Sequence, residues 1–165
     1  MSAAEFLRVN GTHLSFKDVS VFLSGANQAW LNYGCDFGNG SGNQKEEEEH
    51  LDELKGFLDT VSRSGGNSMR IWLFTEGDCI PTFTDDGFVV KTDQTNTLAS
   101  DLRSYLRYAA QKNVFVTICL WNGALMTNKK VQDLFTDEAK LDSFLSILKQ
   151  LVSDLSDEPA LAMWE

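Results

Sequence analysis

Val114-Phe115-Val116-Thr117-Ile118-Cys119-Leu120-Trp121 is almost wholly apolar and rich in β-branched side chains. Such a run suits a parallel strand covered on both faces, since the helices that join parallel strands pack over the sheet. Its flanks agree. Upstream, Leu98, Leu102, Tyr105, Leu106 and Ala109 recur at helical spacing and predict a helix from about Thr97 to Lys112. Downstream, a short helix is expected near Lys129–Phe135, then a long one from Asp137 to Leu155, capped by Thr136 or Asp137. The long helix carries the stripe Leu141, Phe144, Leu145, Leu148, Leu151, Val152 and Leu155.

Working outward, the same strand-then-helix unit repeats. Ser68-Met69-Arg70-Ile71-Trp72-Leu73-Phe74 reads as a strand, followed by a long loop with Cys79 and Asp85-Asp86-Gly87, where Phe88-Val89-Val90 suggests a small extra hairpin. Before it, Val21–Ala26 reads as the first buried strand, with a Gly-rich loop from Gly34 to Gly42. A helix from Lys45 to Ser62 then places Leu51, Leu54, Phe57, Leu58 and Val61 on one face and stops at Gly65-Gly66. The N-terminal segment, Phe6–Val9, Asn10-Gly11 and Thr12–Phe16, reads as a hairpin with a type I′ turn. Ala160-Leu161-Ala162-Met163-Trp164-Glu165 opens a fourth unit with a strand.

Repeated βα units with continuous apolar strands imply an α/β protein with a parallel sheet and right-handed crossovers. A small doubly wound sheet should not close on a bare strand, and no Gly-x-Gly-x-x-Gly or Walker spacing supports a nucleotide-binding sheet. The preferred architecture is the N-terminal half of a (β/α)8 TIM barrel, strands 1–4 with helices 1–3, preceded by a β-hairpin. On this reading residues 1–165 are a partial catalytic domain, cut in or just after strand 4.

Composition narrows the function. Lys and Arg number 14 against 24 Asp and Glu, a net charge of −10 that repels phosphate backbones and argues against nucleic acid as a partner. Much of the excess sits in Glu46–Glu49, Asp52 and Glu53, where acidic side chains suit the start of a helix. No run approaches the roughly 18 apolar residues of a membrane span, and no signal peptide is evident, so the protein is cytosolic or its leader lies outside this sequence. Asn10-Gly11-Thr12 and Asn39-Gly40-Ser41 are glycosylation sequons. Three cysteines, an odd number, leave the compartment open.

In a barrel, chemistry gathers at the C-terminal ends of strands and in the loops beyond. The residues there are Asn27, Trp30 and Tyr33, then Arg70, Trp72 and Glu76, then Trp121 and Asn122, and finally Trp164 and Glu165. Aromatic faces at such a rim suit the apolar faces of sugars; Trp72 and Trp164 read equally well as core aromatics. Arg70 stands inside an apolar strand and needs a carboxylate partner, expected from across the barrel. Glu165 is itself a candidate acid. Glu76, Asp78 and Glu165 are the acids nearby, with no spacing that identifies a catalytic pair. His13 and His50 lie apart, so neither a metal site nor any other cofactor is expected.

Gly25–Gly34, Gly66–Leu73 and Ala160–Glu165 resemble, in order, the endo-β-1,4-mannanases of glycoside hydrolase family 5, most closely those secreted by molluscs and other invertebrates. The resemblance implies a (β/α)8 barrel that cleaves mannan or galactomannan with retention, using two glutamates. It implies that Arg70 orients the nucleophile, and that Asn27, Trp30, Tyr33, Trp72, Trp121 and Asn122 line the cleft. Trp164-Glu165 matches the start of a Trp-Glu-x-x-Asn-Glu-Pro motif, whose acid/base is the second glutamate. The acid/base and nucleophile are therefore expected beyond residue 165, this chain alone is expected to be inactive, and the complete enzyme is expected to be monomeric and secreted. A β-1,4-glucanase on the same barrel, or a non-catalytic carbohydrate-binding product, is the alternative. Cys35 and Cys79 fall in neighbouring loops, either as a disulfide or as two free thiols, and Cys119 is expected to be a buried free cysteine.

Overall fold

The computed structural model describes residues 5–38, 44–123 and 126–165; the sequon at Asn39 and part of the Gly-rich loop lie outside them. The chain begins with β1 (Arg8–Asn10), β2 (His13–Phe16) and β3 (Val19–Val21), an antiparallel sheet in that order. Gly11 alone takes the positive φ (61°) between β1 and β2, the sign pattern of a type II′ rather than a type I′ turn. The pattern expected of I′, two successive positive φ values, occurs at Lys17 (54°) and Asp18 (59°). That second turn carries no glycine, so the third strand is not announced by its sequence.

It also displaces the first barrel strand. Val21 ends the N-terminal sheet, Phe22 is 85% exposed in the connector, and the parallel strand is β4 (Gly25–Gln28), not Val21–Ala26. Asn67 stitches the connector in place: its side-chain amide donates to the Phe22 carbonyl and its Oδ1 accepts from the Ser24 N–H. Among the described residues β4 lies at the end of its sheet, with Gly25, Ala26 and Asn27 exposed. Gly25 lets it approach β5 closely, since a Cβ there would sit 1.7 Å from the Ser68 carbonyl oxygen.

The chain continues with α1 (Gln44–Arg63), β5 (Ser68–Thr75), β6 (Thr82–Phe83), β7 (Val89–Lys91), α2 (Leu98–Gln111) and β8 (Phe115–Trp121). It finishes with α3 (Lys129–Leu134), α4 (Glu138–Asp154) and β9 (Leu161–Trp164). β4, β5, β8 and β9 form one all-parallel sheet in chain order, each joined to the next by a helical crossover. β6 and β7 make the small extra hairpin in the loop after β5. This is part of a (β/α)8 barrel.

Helix ends follow local chemistry. α1 closes in a Schellman motif, Gly66 N–H to the Val61 carbonyl and Gly65 N–H to Ser62. α4 starts at Asp137, whose carboxylate accepts from the Ala139 and Lys140 N–H groups. α2 lacks a side-chain cap at Thr97; instead fully buried Asp93 accepts from the Thr97 N–H and from the hydroxyls of Thr92 and Thr95.

The core lies between the sheet and the helices. Met69, Ile71 and Leu73 of β5 and Val116 and Ile118 of β8 meet Leu54, Leu58, Leu102, Leu106, Phe144 and Leu151. Four expected stripe residues lie outside it: Phe57 (38% exposed) and Leu145 (45%) are exposed, and Leu141 and Val152 are half-buried. Beneath the sheet, Glu158 (3% exposed) holds α2 to the α4–β9 turn, accepting from Arg103 Nη1 and Arg107 Nε. At that end the N-terminal sheet packs Phe16 edge-on to Phe115, leaving a groove of about 590 Å³ away from the C-terminal rim.

Candidate active-site rim

Alternation along a strand sends Met69, Ile71 and Leu73 to the helices, and therefore Arg70 and Trp72 to the concave face. Register places Arg70 beside Asn27 on one neighbour and Thr117 on the other, and Trp72 beside Cys119. The Arg70 guanidinium is held firmly. Its Nε and Nη2 donate to the two oxygens of Glu165 at 2.6 and 2.8 Å, and Nη1 donates to Asn27 Oδ1 at 2.8 Å. The same Asn27 oxygen accepts from Trp72 Nε1, and the guanidinium carbon lies 4.7 Å from the Trp72 ring centroid.

Arg70 thus takes its carboxylate from the fourth strand, two strands away. The hydrogen bonds and charge of Arg70 hold the Glu165 carboxyl below the usual carboxylate range, and Glu165 raises the Arg70 pKa in turn. Three of the five guanidinium N–H groups are engaged in this way. Cys119 is a buried free thiol beside the pair; burial pushes its pKa up.

The loop after β4 supplies the aromatics. Trp30 meets Tyr33 at 4.5 Å and Trp72 at 6.1 Å between ring centroids, both edge-on, with Trp30 37% and Tyr33 40% exposed. Asp36 shapes this loop, accepting from the Leu31 and Asn32 N–H groups and lying 3.2 Å from His50 Nε2 on α1. Two ties fasten it to the loop after β5. Cys35 and Cys79 form a disulfide, and Tyr33 Oη donates to Glu76 Oε1 at 2.6 Å. Gly34 (φ 68°) passes so close that a Cβ would meet Thr75 Oγ1 at 1.9 Å. Asn122, at the end of β8, donates to the same Glu76 oxygen at 2.9 Å.

The fold therefore brings together Asn27, Trp30, Tyr33, Arg70 and Trp72, with Asn122 linked through Glu76. Trp121 is set apart from them. Its ring packs on Phe74 at 5.1 Å and on Phe144 of α4 at 5.2 Å. Trp164 also packs on the core. Three functional side chains escaped the sequence reading: Glu165 as the partner of Arg70, Glu76 as a shared acceptor, and Asp36 as the loop organiser. Only Glu165 and Glu76 carried a signal, their place at strand ends. Among the described residues no group of three or more His, Cys, Asp or Glu stands together to hold a metal, and no helix is long and apolar enough to cross a membrane.

An arginine–carboxylate pair lies on a concave parallel sheet beside the exposed aromatics of the first loop, at the strand ends where (β/α)8 barrels carry their active sites. No family profile matches the chain. It is 43% identical over 164 residues to a mannan endo-1,4-β-mannosidase of Cryptopygus antarcticus, covering 99% of this chain and 42% of that protein. It is 40% identical over 162 residues to a mannan endo-1,4-β-mannosidase of Mytilus edulis, covering 96% and 42%. The backbone superposes on the crystal structure of the β-1,4-D-mannanase from Cryptopygus antarcticus with a TM-score of 0.91 (43% identity), covering 97% of this chain and 43% of that one. It superposes on the endo-1,4-β-mannanase from Eisenia fetida with a TM-score of 0.90 (39% identity), covering 97% and 44%. The chain is similar to these invertebrate mannanases over nearly its whole length and spans about two-fifths of the length of the curated relatives it matches.

Proposed function

We propose that this chain is the N-terminal part of a secreted, monomeric endo-β-1,4-mannanase that hydrolyses mannan or galactomannan with retention. The observation that carries the reading is the rim: Arg70, Asn27, Trp30, Tyr33 and Trp72 converge at the C-terminal ends of strands in a backbone that matches mannanases along nearly its whole length. Trp30 and Trp72 offer ring surface to a mannose face, and Asn27, Tyr33 and Asn122 supply polar contacts. Trp121 supports the cleft from behind.

Retention needs an acid/base and a nucleophile about 5 Å apart. In this proposal both are glutamates beyond residue 165, the acid/base four residues further on and the nucleophile near the end of the seventh strand. Arg70 keeps two N–H groups for that nucleophile, ionising and orienting it. The Cys35–Cys79 disulfide supports secretion, since such bonds persist in oxidising compartments.

The test is to express the complete protein that contains this chain and to assay galactomannan and carboxymethyl cellulose, following the anomer released by NMR. Reducing ends from galactomannan with the β-anomer formed first are expected. Cleavage of cellulose alone, or initial release of the α-anomer, would overturn the reading. The isolated 165-residue chain is expected to release none, and turnover by it would place the catalytic groups within these residues.

A further inference from the structure

Glu76 is the carboxylate at the rim with no solvent role: it is 7% exposed, and one oxygen, Oε1, accepts from both Tyr33 Oη at 2.6 Å and Asn122 Nδ2 at 2.9 Å. The three residues come from three successive strand ends, after β4, β5 and β8. We propose that Glu76 is a positioning residue for carbohydrate: it fixes the Tyr33 phenol as a hydrogen-bond acceptor for a sugar hydroxyl and holds Asn122 beside it. The proposal rests on the functional reading above, because it takes β-mannan as the ligand.

The chemistry follows from counting protons. A phenol has one, and Tyr33 gives it to Glu76, so its oxygen offers the cleft only lone pairs. A ligand group there must donate, as a sugar hydroxyl can. An amide in place of Glu76 could also join the loops, but it could rotate and present N–H to Tyr33, reversing the phenol's role. An ionised carboxylate has only acceptors and cannot. Burying a charge costs more than burying an amide, and the fixed direction of the two bonds is what that cost secures. Tyr33 in turn sets Trp30, whose ring it meets at 4.5 Å. The hydrogen bond to Glu76 raises the Tyr33 pKa, with burial and the charges of Glu76 and Asp78 adding and Asn122 opposing.

The experiment compares wild type, E76A, E76Q, Y33F and the E76A/Y33F double variant in the complete protein. Its readouts are kcat and KM on mannohexaose, quenching of tryptophan fluorescence by mannohexaose, thermal midpoint, and near-ultraviolet titration of Tyr33, assigned by difference from Y33F. E76A is expected to raise KM about tenfold, the equivalent of one charge-assisted hydrogen bond, with kcat within about twofold. E76Q recovers only part of the affinity, because its amide can turn an N–H toward Tyr33; the double variant is no worse than E76A, and Tyr33 titrates lower in E76A. A fall in thermal midpoint with KM and the Tyr33 titration unchanged would reduce Glu76 to a structural tie and overturn the proposal. So would a wild-type KM in Y33F, which decides the matter if E76A does not fold. A wild type that cleaves no mannan defeats the functional reading instead; quenching by mannohexaose and the Tyr33 titration then still judge Glu76.

Discussion

Arg70 and Glu165 show how one residue's setting dictates chemistry. The guanidinium sits on the concave face among Asn27, Trp72 and Glu165, and the carboxylate answers with two parallel hydrogen bonds, the strongest geometry such a pair can adopt. The pH consequence has a definite sign. The Glu165 pKa is lowered from 4.5 by hydrogen bonding to Arg70, so its contribution to stability is present above the unfolded value and is lost as pH falls through the folded one. Glu165→Gln is therefore expected to lower the urea midpoint at neutral pH, the difference shrinking as the pH falls below the usual carboxylate range. The side chain is 53% exposed, so solvent screening keeps the difference under about 1 kcal/mol. The need for a carboxylate was legible in the sequence, since an arginine inside an apolar strand must be paired. Its identity was not, because pairing across two strands depends on register, which a single sequence does not display.

At the scale of elements, α4 joins the two layers of chemistry that the fold needs. Phe144 packs on Phe74 and Trp121 beneath the rim, while Ser143 Oγ accepts the Val89 N–H and anchors the small β6–β7 hairpin. Its first turn depends on Asp137, and Asp137→Ala is expected to cost about 1 kcal/mol in chemical denaturation, with Asp137→Asn nearly neutral. Helices and long apolar strands were readable from periodicity because burial of one face imposes it. The third short strand was not: β3 follows a turn made by Lys17 and Asp18, whose positive φ values have no glycine to signal them. Nor does hydropathy show which partners a strand-end ring finds, as Trp121 finds Phe74 and Phe144.

At the scale of the molecule, the half of the barrel described here is closed by covalent as well as hydrophobic means. The disulfide spans 44 residues and constrains the unfolded chain by about 4 kcal/mol in the chain-entropy account. Cys35→Ser/Cys79→Ser, or reduction, is expected to lower the unfolding midpoint and to loosen the seat of Trp30 and Tyr33, seen as weaker quenching by manno-oligosaccharides. The parallel sheet and its crossovers were legible from the repeating units; the convergence of the rim was legible only as a set of strand ends, since which ring meets which depends on the loop that Asp36 folds. The Cys35–Cys79 bond encloses the end of the first loop, all of α1 and all of β5. A protease that nicks the backbone anywhere between the two cysteines therefore severs the chain without releasing a piece, and the cut molecule migrates as a single species until a reducing agent parts it.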